Sequence, residues 1–431
     1  MSSERIKRIH GGRVIDPAVN LDASLDILIE NGRIKSLINT NTDFPGVTEK
    51  IDVSGKILTP GLIDMHTHLR EPGQEYKEGI ENGTKAAASG GITSVACMAN
   101  TDPVNDNGSV TDFIIRRAAE FGYARVYPIG AVSKSLAGVE LSEMGELAAA
   151  GCVAFSDDGN TIMNAELMRC ALEYARDLDK CIIVHAEDLN LLRGGVMHEG
   201  SVGTQMGLPG APSSSEEVIV ARDIILSRMT GAPVHFAHIS TAGSVELIRK
   251  AKEDGVPVTA ETCPHYFTMT HQAVLGYNTR ARVNPPLRED SDVEAIKNGL
   301  KEGVLDCIAS DHAPHARHEK EVEFERAMPG ISGIETILGL TLTLVDDGTL
   351  SLIEAIEKLT VVPARIIGIE SGTLSRGAPA DITVIDMEKE WTVKTENFIS
   401  KGKFTPFEGM KLKGRAVATF INGEEINIER E

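Results

Sequence analysis

Two histidines separated by one residue, His66 and His68, have a spacing that could do chemistry. In a β-strand, residues i and i+2 point to the same side, so both imidazoles could reach one metal ion at about 2.0–2.1 Å. Two hydrogen-bonded polar residues at a strand end would give the same pattern, so the pair alone is weak evidence. It predicts a metal site if other ligands converge on it.

Further polar residues end or directly follow other apolar runs of the sequence: Asp157, Asp158, His185, His238 and Asp311. One histidine from each of two strands could hold a second ion, and a carboxylate could bridge both. Two divalent ions about 3.5–4 Å apart can share a hydroxide and keep it deprotonated at neutral pH. Spacing alone does not choose between the two adjacent aspartates as the bridge.

His235 competes with His238 for a place in this cluster. It lies three residues earlier, so the alternation of a strand sends its side chain to the opposite face. We therefore interpret His235 as structural.

The elements that would position these residues occupy the middle of the chain. Eight apolar runs are each followed by a longer segment with a helical pattern, which indicates an α/β fold with a parallel sheet. Eight such units predict a closed (β/α)8 barrel of the TIM type, whose active sites lie at the carboxyl ends of the strands. The runs are 61–66, 92–97, 125–129, 152–155, 181–185, 233–238, 257–261 and 305–310.

The two ends of the chain have a different sequence pattern, which is typical of short strands joined by tight turns. Residues 26–30 and 33–38 flank Asn31-Gly32, a pair that suits a type I′ hairpin turn. Residues 381–385 and 416–421 form similar runs. We expect segments 1–59 and 371–431 to pair into one small β-domain beside a barrel of residues 60–370.

Composition excludes several classes of function. The 431 residues carry a net charge of −20, from 43 basic and 63 acidic residues, and lack a basic block that could bind nucleic acid. No apolar run approaches the roughly 18 residues of a membrane span. The six cysteines form no Cys-x-x-Cys pair, and reduced thiols fit a cytoplasmic protein.

Five ordered motifs resemble those of the dihydroorotases, class I type, within the amidohydrolase superfamily. They are D-M-H-T-H-L-R-E-P-G at 64–73, M-A-N-T at 98–101, D-D-G at 157–159, N-P-P-L-R at 284–288 and S-D-H-A-P-H at 310–315. The resemblance implies reversible hydrolysis of dihydroorotate to N-carbamoyl-L-aspartate in pyrimidine biosynthesis. A metal-bridged hydroxide would attack, with Asp311 as the general acid and base.

The resemblance also implies the cofactor and the roles of individual residues. Two zinc ions per subunit would be held, one by His66, His68 and Asp311, the other by His185 and His238, with Asp158 bridging. Arg70 and His315 would hold the substrate carboxylate. The full set of implied substrate-binding residues is His68, Leu69, Arg70, Asn100, Asn284, His315, Pro329 and Gly330.

Two other functions compete with this one. Hydantoinases and allantoinases share the fold and the His-x-His pair but usually bridge their metals with a carboxylated lysine, whereas the D-D-G motif, Arg70 and N-P-P point away from them. A non-catalytic partner of aspartate carbamoyltransferase would be expected to lose metal ligands. Association with that enzyme and homo-oligomerisation both stay open.

A charged run at 316–328 follows the predicted catalytic strand. We interpret it as a solvated loop or helix face. The alternative is a mobile flap that closes over the substrate.

Overall fold

The computed structural model describes residues 6–428, which form two sheets, a short two-stranded ribbon and surrounding helices. The strands are β1 (Ile6–His10), β2 (Arg13–Asp16), β3 (Leu21–Glu30), β4 (Arg33–Asn39), β5 (Val47–Asp52), β6 (Ile57–Pro60), β7 (Leu62–Thr67), β8 (Ile92–Cys97), β9 (Arg125–Gly130), β10 (Ala154–Phe155), β11 (Ile182–Val184), β12 (Met197–His198), β13 (Gly210–Ala211), β14 (Val234–Phe236), β15 (Val258–Thr262), β16 (Cys307–Ile308), β17 (Ile382–Thr392), β18 (Lys411–Ile421) and β19 (Glu424–Glu425).

The helices lie mainly between the strands of the central sheet. They are α1 (Ile80–Ser89), α2 (Gly108–Phe121), α3 (Met144–Ala150), α4 (Ala165–Asp177), α5 (Leu189–Leu192), α6 (Ser201–Met206), α7 (Ser214–Thr230), α8 (Ala242–Glu253), α9 (Pro264–Thr268), α10 (Asp290–Lys301), α11 (Arg317–Lys320), α12 (Ile337–Asp346), α13 (Leu352–Glu357) and α14 (Val361–Ile367). Within residues 6–428, no helix has the length and apolar content needed to cross a bilayer.

The central sheet is parallel and has eight strands in the order β16-β15-β14-β11-β10-β9-β8-β7. Its two edges approach each other, because the N–H of His68 donates to the carbonyl of His312 at 2.8 Å and Thr67 bridges to His312. Each of the eight predicted runs overlaps one of these strands, which confirms the (β/α)8 barrel. Several strands are shorter than predicted: β14 ends at Phe236 and β16 at Ile308.

Alternation along the barrel strands produces two apolar layers. In β8, Val95 packs in the cluster between sheet and helices, while its neighbour Ala96 packs in the barrel interior with Met65 and Ile183. Successive residues of a strand point to opposite faces, so one apolar run fills both layers. These layers fix the strand ends that carry the polar residues.

The second sheet joins the two ends of the chain, as the sequence predicts. It has nine strands, β19-β18-β17-β6-β2-β3-β1-β5 with β4 beside β3, and β6 pairs antiparallel with β17. Asn31 and Gly32 connect β3 to β4 with φ values of 52° and 75°, the left-handed backbone of a type I′ turn. Residues 1–5 and 429–431 of the predicted β-domain lie outside the described residues, and its boundaries stay a prediction.

The charged run at 316–328 is folded onto the barrel. Glu321 and Glu323 are exposed, but Lys320 and Phe324 are buried, at 0% and 3% exposure. The expectation of a solvated face is therefore wrong for these two residues.

Candidate active site

The histidines at the end of β7 point to the same side, as their spacing predicts. Nε2 of His66 lies 3.4 Å from Asp158 Oδ1 and 3.6 Å from Asp311 Oδ1. Nε2 of His68 lies 3.4 Å from Asp158 Oδ2 and 3.2 Å from Asp311 Oδ1. Two imidazoles and two carboxylates thus meet around one point.

A second group of imidazoles shares Asp158 with the first. Oδ1 of Asp158 is 3.3 Å from His238 Nε2 and 3.6 Å from His185 Nδ1, and these two nitrogens are 2.9 Å apart. Asp158 therefore contacts the histidines of both predicted sets, as a bridging carboxylate must.

The neighbouring Asp157 is turned away from this cluster. Its carboxylate accepts hydrogen bonds from the N–H groups of Val132 and Ser133, at 2.8 and 2.9 Å, and from the Ser133 hydroxyl. The spacing does not say which of the two aspartates lies in the cluster. In the structure Asp158 lies among the imidazoles, whereas Asp157 hydrogen-bonds to the residues that follow β9.

Several site residues have a left-handed backbone conformation, which sets the direction of their side chains. The φ angle is 62° at Arg70, 37° at His238 and 45° at Asp311, a region that residues other than glycine adopt rarely and at a cost. His238 and Asp311 lie two and three residues beyond their strands, so strand alternation does not set where they point. The packed barrel holds these strained residues in place.

Acceptor side chains lie behind the two histidines of β7. Nδ1 of His66 faces Glu261 Oε1 at 2.6 Å, and Nδ1 of His68 faces Asn100 Oδ1 at 2.9 Å. Each outer nitrogen has an acceptor beside it, so in the neutral ring the proton would lie on Nδ1 and the lone pair of Nε2 would face the cluster.

The carboxylates of the cluster are ionised at neutral pH. Burial alone would raise the pKa of Asp158, but the charge on His66 and hydrogen bonds from His185 and His238 outweigh burial and hold the pKa well below its usual range. The pKa of Asp311 is lowered in the same way, against burial, by His68 and His66. Buried anionic carboxylates beside imidazoles are suited to binding a cation.

The donor set fits divalent metal ions. Two ligands of one tetrahedral ion at about 2.1 Å are about 3.4 Å apart, and the carboxylate-to-imidazole distances span 3.2–3.6 Å. Nε2 of His66 is buried and, among the described residues, has no hydrogen-bond partner, so it is free to be a ligand. His66, Asp158, His238 and Asp311 are each at most 7% exposed.

A cavity opens beside the cluster. Most of the predicted substrate-binding residues line it, together with Met328 and Ala313: His68, Arg70, Asn100, Asn284, His315, Pro329 and Gly330. Leu69 differs, because its side chain is 2% exposed and packs in the core between barrel and helices.

Arg70 brings positive charge to this cavity. Its Nε donates to the carbonyl of Pro314 at 3.3 Å, and its Nη2 lies 3.5 Å from His315 Nε2. Burial lowers the pKa of Arg70 to about 10, so the guanidinium is charged at neutral pH. Burial and the charge of Arg70 lower the pKa of His315 to about 3, so the imidazole is neutral.

Comparison with known proteins agrees with this geometry. Residues 57–426 match the sequence model of the amidohydrolase family. A dihydroorotase from Syntrophus aciditrophicus (strain SB) is 55% identical over 96% of this chain and 97% of its own length. A dihydroorotase from Geobacter metallireducens is 53% identical over 97% of this chain and 98% of its own. The chain belongs to the dihydroorotases of the amidohydrolase family.

Solved structures with the same fold include hydantoinases. The L-hydantoinase (dihydropyrimidinase) from Arthrobacter aurescens has a TM-score of 0.89 over 99% of this chain and 96% of its own, at 24% identity. A dihydropyrimidinase from Brevibacillus agri NCHU1002 has a TM-score of 0.83 over 97% and 94%, at 25% identity. At this identity the likeness shows the fold alone.

Two carboxylates beside the cluster were missed by sequence reasoning. Glu261 ends the seventh predicted run, so the criterion that selected His185 could have found it. Glu187 follows His185 by two residues, and its Oε2 lies 3.6 Å from His185 Nε2 and accepts from Asn284 Nδ2 at 3.3 Å. His235, interpreted as structural, lies away from the cavity and faces Glu261 Oε2 at 3.3 Å.

Proposed function

We propose that this protein catalyses the reversible hydrolysis of dihydroorotate to N-carbamoyl-L-aspartate in pyrimidine biosynthesis. The observation that carries the proposal is one cavity that is lined both by the buried cluster of imidazoles and carboxylates and by the charged Arg70. A cyclic amide that bears one carboxylate fits this pairing of a hydrolytic centre with a cation. Relatives more than 50% identical that are dihydroorotases support it.

The metals we propose are two zinc ions. His66, His68 and Asp311 would hold one and His185 and His238 the other, with Asp158 bridging. When bound, the ions would supply a water molecule of lowered pKa and Lewis-acid stabilisation of negative charge on the substrate oxygen. The same donors accept other divalent ions, so metal analysis of the purified protein tests the choice of zinc.

Asp311 is the proton carrier in this proposal. It lines the cavity, and as an ionised carboxylate it would accept the proton of the attacking water. An amide nitrogen is a poor leaving group, so the same carboxyl would return the proton to the ring nitrogen as the carbon–nitrogen bond breaks.

The remaining cavity residues would bind and orient the substrate. The guanidinium of Arg70 suits bidentate contact with a carboxylate, and His315 lies beside it. Asn100 and Asn284 would offer amide groups to the ring and Pro329 its carbonyl. Gly330 lines the same cavity and would contact the ring, since its N–H and carbonyl are paired within the protein. Since the side chain of Leu69 lies in the core, we propose that it acts through its backbone.

A direct assay tests the function. The zinc-loaded protein is incubated separately with dihydroorotate, hydantoin and allantoin, and the ring-opened products are quantified with and without a chelator. We expect chelator-sensitive opening of dihydroorotate. Opening of hydantoin or allantoin instead would overturn the substrate while keeping the metal centre. Inactivity toward all three would favour the non-catalytic alternative.

Location and partners are further hypotheses. We propose a cytoplasmic protein, since all six cysteines are free thiols and five of them are buried. Self-association and binding to aspartate carbamoyltransferase can be tested together by light scattering of this protein alone and mixed with that enzyme. Adding the same enzyme to the assay tests whether a partner raises the activity.

A further inference from the structure

A buried lysine lies behind the cavity wall. Lys320 ends α11 and is 0% exposed, although it stands in a charged run of the sequence. Its Nζ donates to the carbonyls of Met328 and Gly330, each at 2.9 Å, and of Arg282 at 3.3 Å. An ammonium has three N–H donors, so these three carbonyls match its full donor capacity.

The three carbonyls belong to two segments that line the cavity. Met328 and Gly330 flank Pro329 in one segment, and Arg282 lies two residues before Asn284 in the other. The carbonyl of Arg282 also accepts from the N–H of Gly330 at 2.9 Å. Lys320 and this backbone bond therefore join the two segments from their buried side.

The orientation of Pro329 follows from this arrangement. With the carbonyls of Met328 and Gly330 turned towards Lys320, the carbonyl between them faces the other way, where it accepts from His315 Nε2 at 2.8 Å. Both backbone groups of Gly330 are already paired, the N–H with Arg282 and the carbonyl with Lys320. Pro329 thus presents the carbonyl of this segment that faces His315, and Pro329 itself lines the cavity.

We propose that Lys320 is a positioning residue for the substrate, because it fixes the Pro329 carbonyl and, through Arg282, the segment that carries Asn284. The proposal rests on the proposed function, since it assigns these two groups to the binding of dihydroorotate. Lys320 itself does not line the cavity. Its removal is therefore expected to weaken substrate binding more than the chemical step.

Lys320 is buried, so its amine needs these carbonyls as hydrogen-bond acceptors in place of water. Burial, followed by the nearby charge of Arg282, lowers the pKa of Lys320 to about 7, and the adjacent Glu319 opposes that shift. Glu319 itself pairs with Lys77 at 3.0 Å and lies 3.4 Å from His315 Nδ1. Lys320 thus depends on backbone dipoles for its hydrogen bonds, and these dipoles belong to the cavity wall.

Lys358 provides a matched control. It is another buried lysine, 7% exposed, and donates to the carbonyls of Leu305 at 2.8 Å and Asp306 at 3.5 Å, at the amino end of β16. Lys320→Met and Lys358→Met therefore remove the same kind of interaction, one behind the cavity and one at the opposite end of the barrel. Both are expected to lower the melting temperature.

Steady-state kinetics separates positioning from general stability. We expect Lys320→Met to raise KM for dihydroorotate about tenfold, the contribution of roughly one well-placed hydrogen bond, with kcat changed less than about threefold. We expect Lys358→Met to leave both constants within about twofold of wild type. Lys320→Gln can still donate to two carbonyls. It should therefore be more stable than Lys320→Met, and its KM should lie between those of wild type and Lys320→Met. Unchanged KM in both Lys320 variants would overturn the proposal.

Hydrogen exchange of the substrate-free protein gives a readout that does not depend on the reaction. Exchange of the Gly330 amide, followed in peptides covering 324–332, should be faster in Lys320→Met than in wild type and unchanged in Lys358→Met. Unaltered exchange in Lys320→Met would refute the positioning role even if dihydroorotate is the substrate. Faster exchange in a protein that does not open dihydroorotate would keep the structural role and reject the function.

Discussion

The adjacent residues Asp157 and Asp158 allow a sharp test of the metal centre. The two side chains are chemically identical and both buried, at 5% and 4% exposure. Asp158 contacts four imidazoles, whereas Asp157 accepts hydrogen bonds from Val132 and Ser133. The same change, aspartate to asparagine, should therefore have two different consequences.

Asp158→Asn keeps the shape of the side chain but removes the charge that both groups of histidines share. Removing a group that merely orients a ligand already costs 10–100-fold in metal affinity. Losing a charged bridging ligand should cost at least about 100-fold, which corresponds to roughly 2.7 kcal/mol. In Asp157→Asn, Oδ1 can still accept from both backbone N–H groups, so we expect a loss of about 1–2 kcal/mol in unfolding free energy and no loss of metal.

The assay is metal content per chain after dialysis against buffers of defined free zinc, measured by mass spectrometry. Urea unfolding of the chelated proteins supplies the free energies. Asp158→Asn should need about 100-fold more free zinc for half-occupancy, while Asp157→Asn should follow the wild-type curve. Wild-type zinc binding by Asp158→Asn, or an equal loss in both variants, would refute the assignment of the bridge.

Three further substitutions test other parts of the site. Asp311→Asn should keep the fold and at least one metal but lower kcat by a factor of about 100 or more, since it removes the proton carrier; near-normal turnover would end that assignment. Arg70→Lys should raise KM about tenfold with a smaller change in kcat, because an ammonium cannot form the bidentate contact, and an unchanged KM would exclude the carboxylate clamp. Glu261→Gln should lower zinc affinity about 10–100-fold by loosening the orientation of His66, which the same dialysis experiment measures.

The sequence predicts the framework of this molecule well because its signals are local. Alternating apolar runs locate all eight barrel strands, and Asn31-Gly32 locates the hairpin between β3 and β4. The side chains of His66 and His68 point to the same side, as their spacing predicts, because both residues belong to or adjoin one strand. Each of these features depends on residues that are close in the sequence, so hydrophobic periodicity and turn-forming residues are sufficient to predict it.

The features that the sequence leaves open depend on segments far apart in the chain. The choice of Asp158 over Asp157 depends on the N–H groups of Val132 and Ser133, about 25 residues earlier. The burial of Lys320 depends on carbonyls contributed by two other segments of the chain. Left-handed backbone at His238 also places its side chain where strand alternation cannot predict it.

The proposed metal ligands and the proposed substrate-binding residues are held in place largely by different supports, that is, by different parts of the chain. The proposed ligands stand on or just beyond the parallel strands, where two packed layers restrict their movement, and acceptors such as Glu261 hold their outer nitrogens. The substrate residues stand on segments joined from behind by Lys320 and by the backbone of Arg282. The two supports meet at two amides, because His68 Nδ1 faces Asn100 Oδ1 at 2.9 Å and Asn284 Nδ2 lies 3.3 Å from His185 Nε2. Lys320 contacts none of the proposed metal ligands, so a change there is expected to alter substrate recognition more than metal binding.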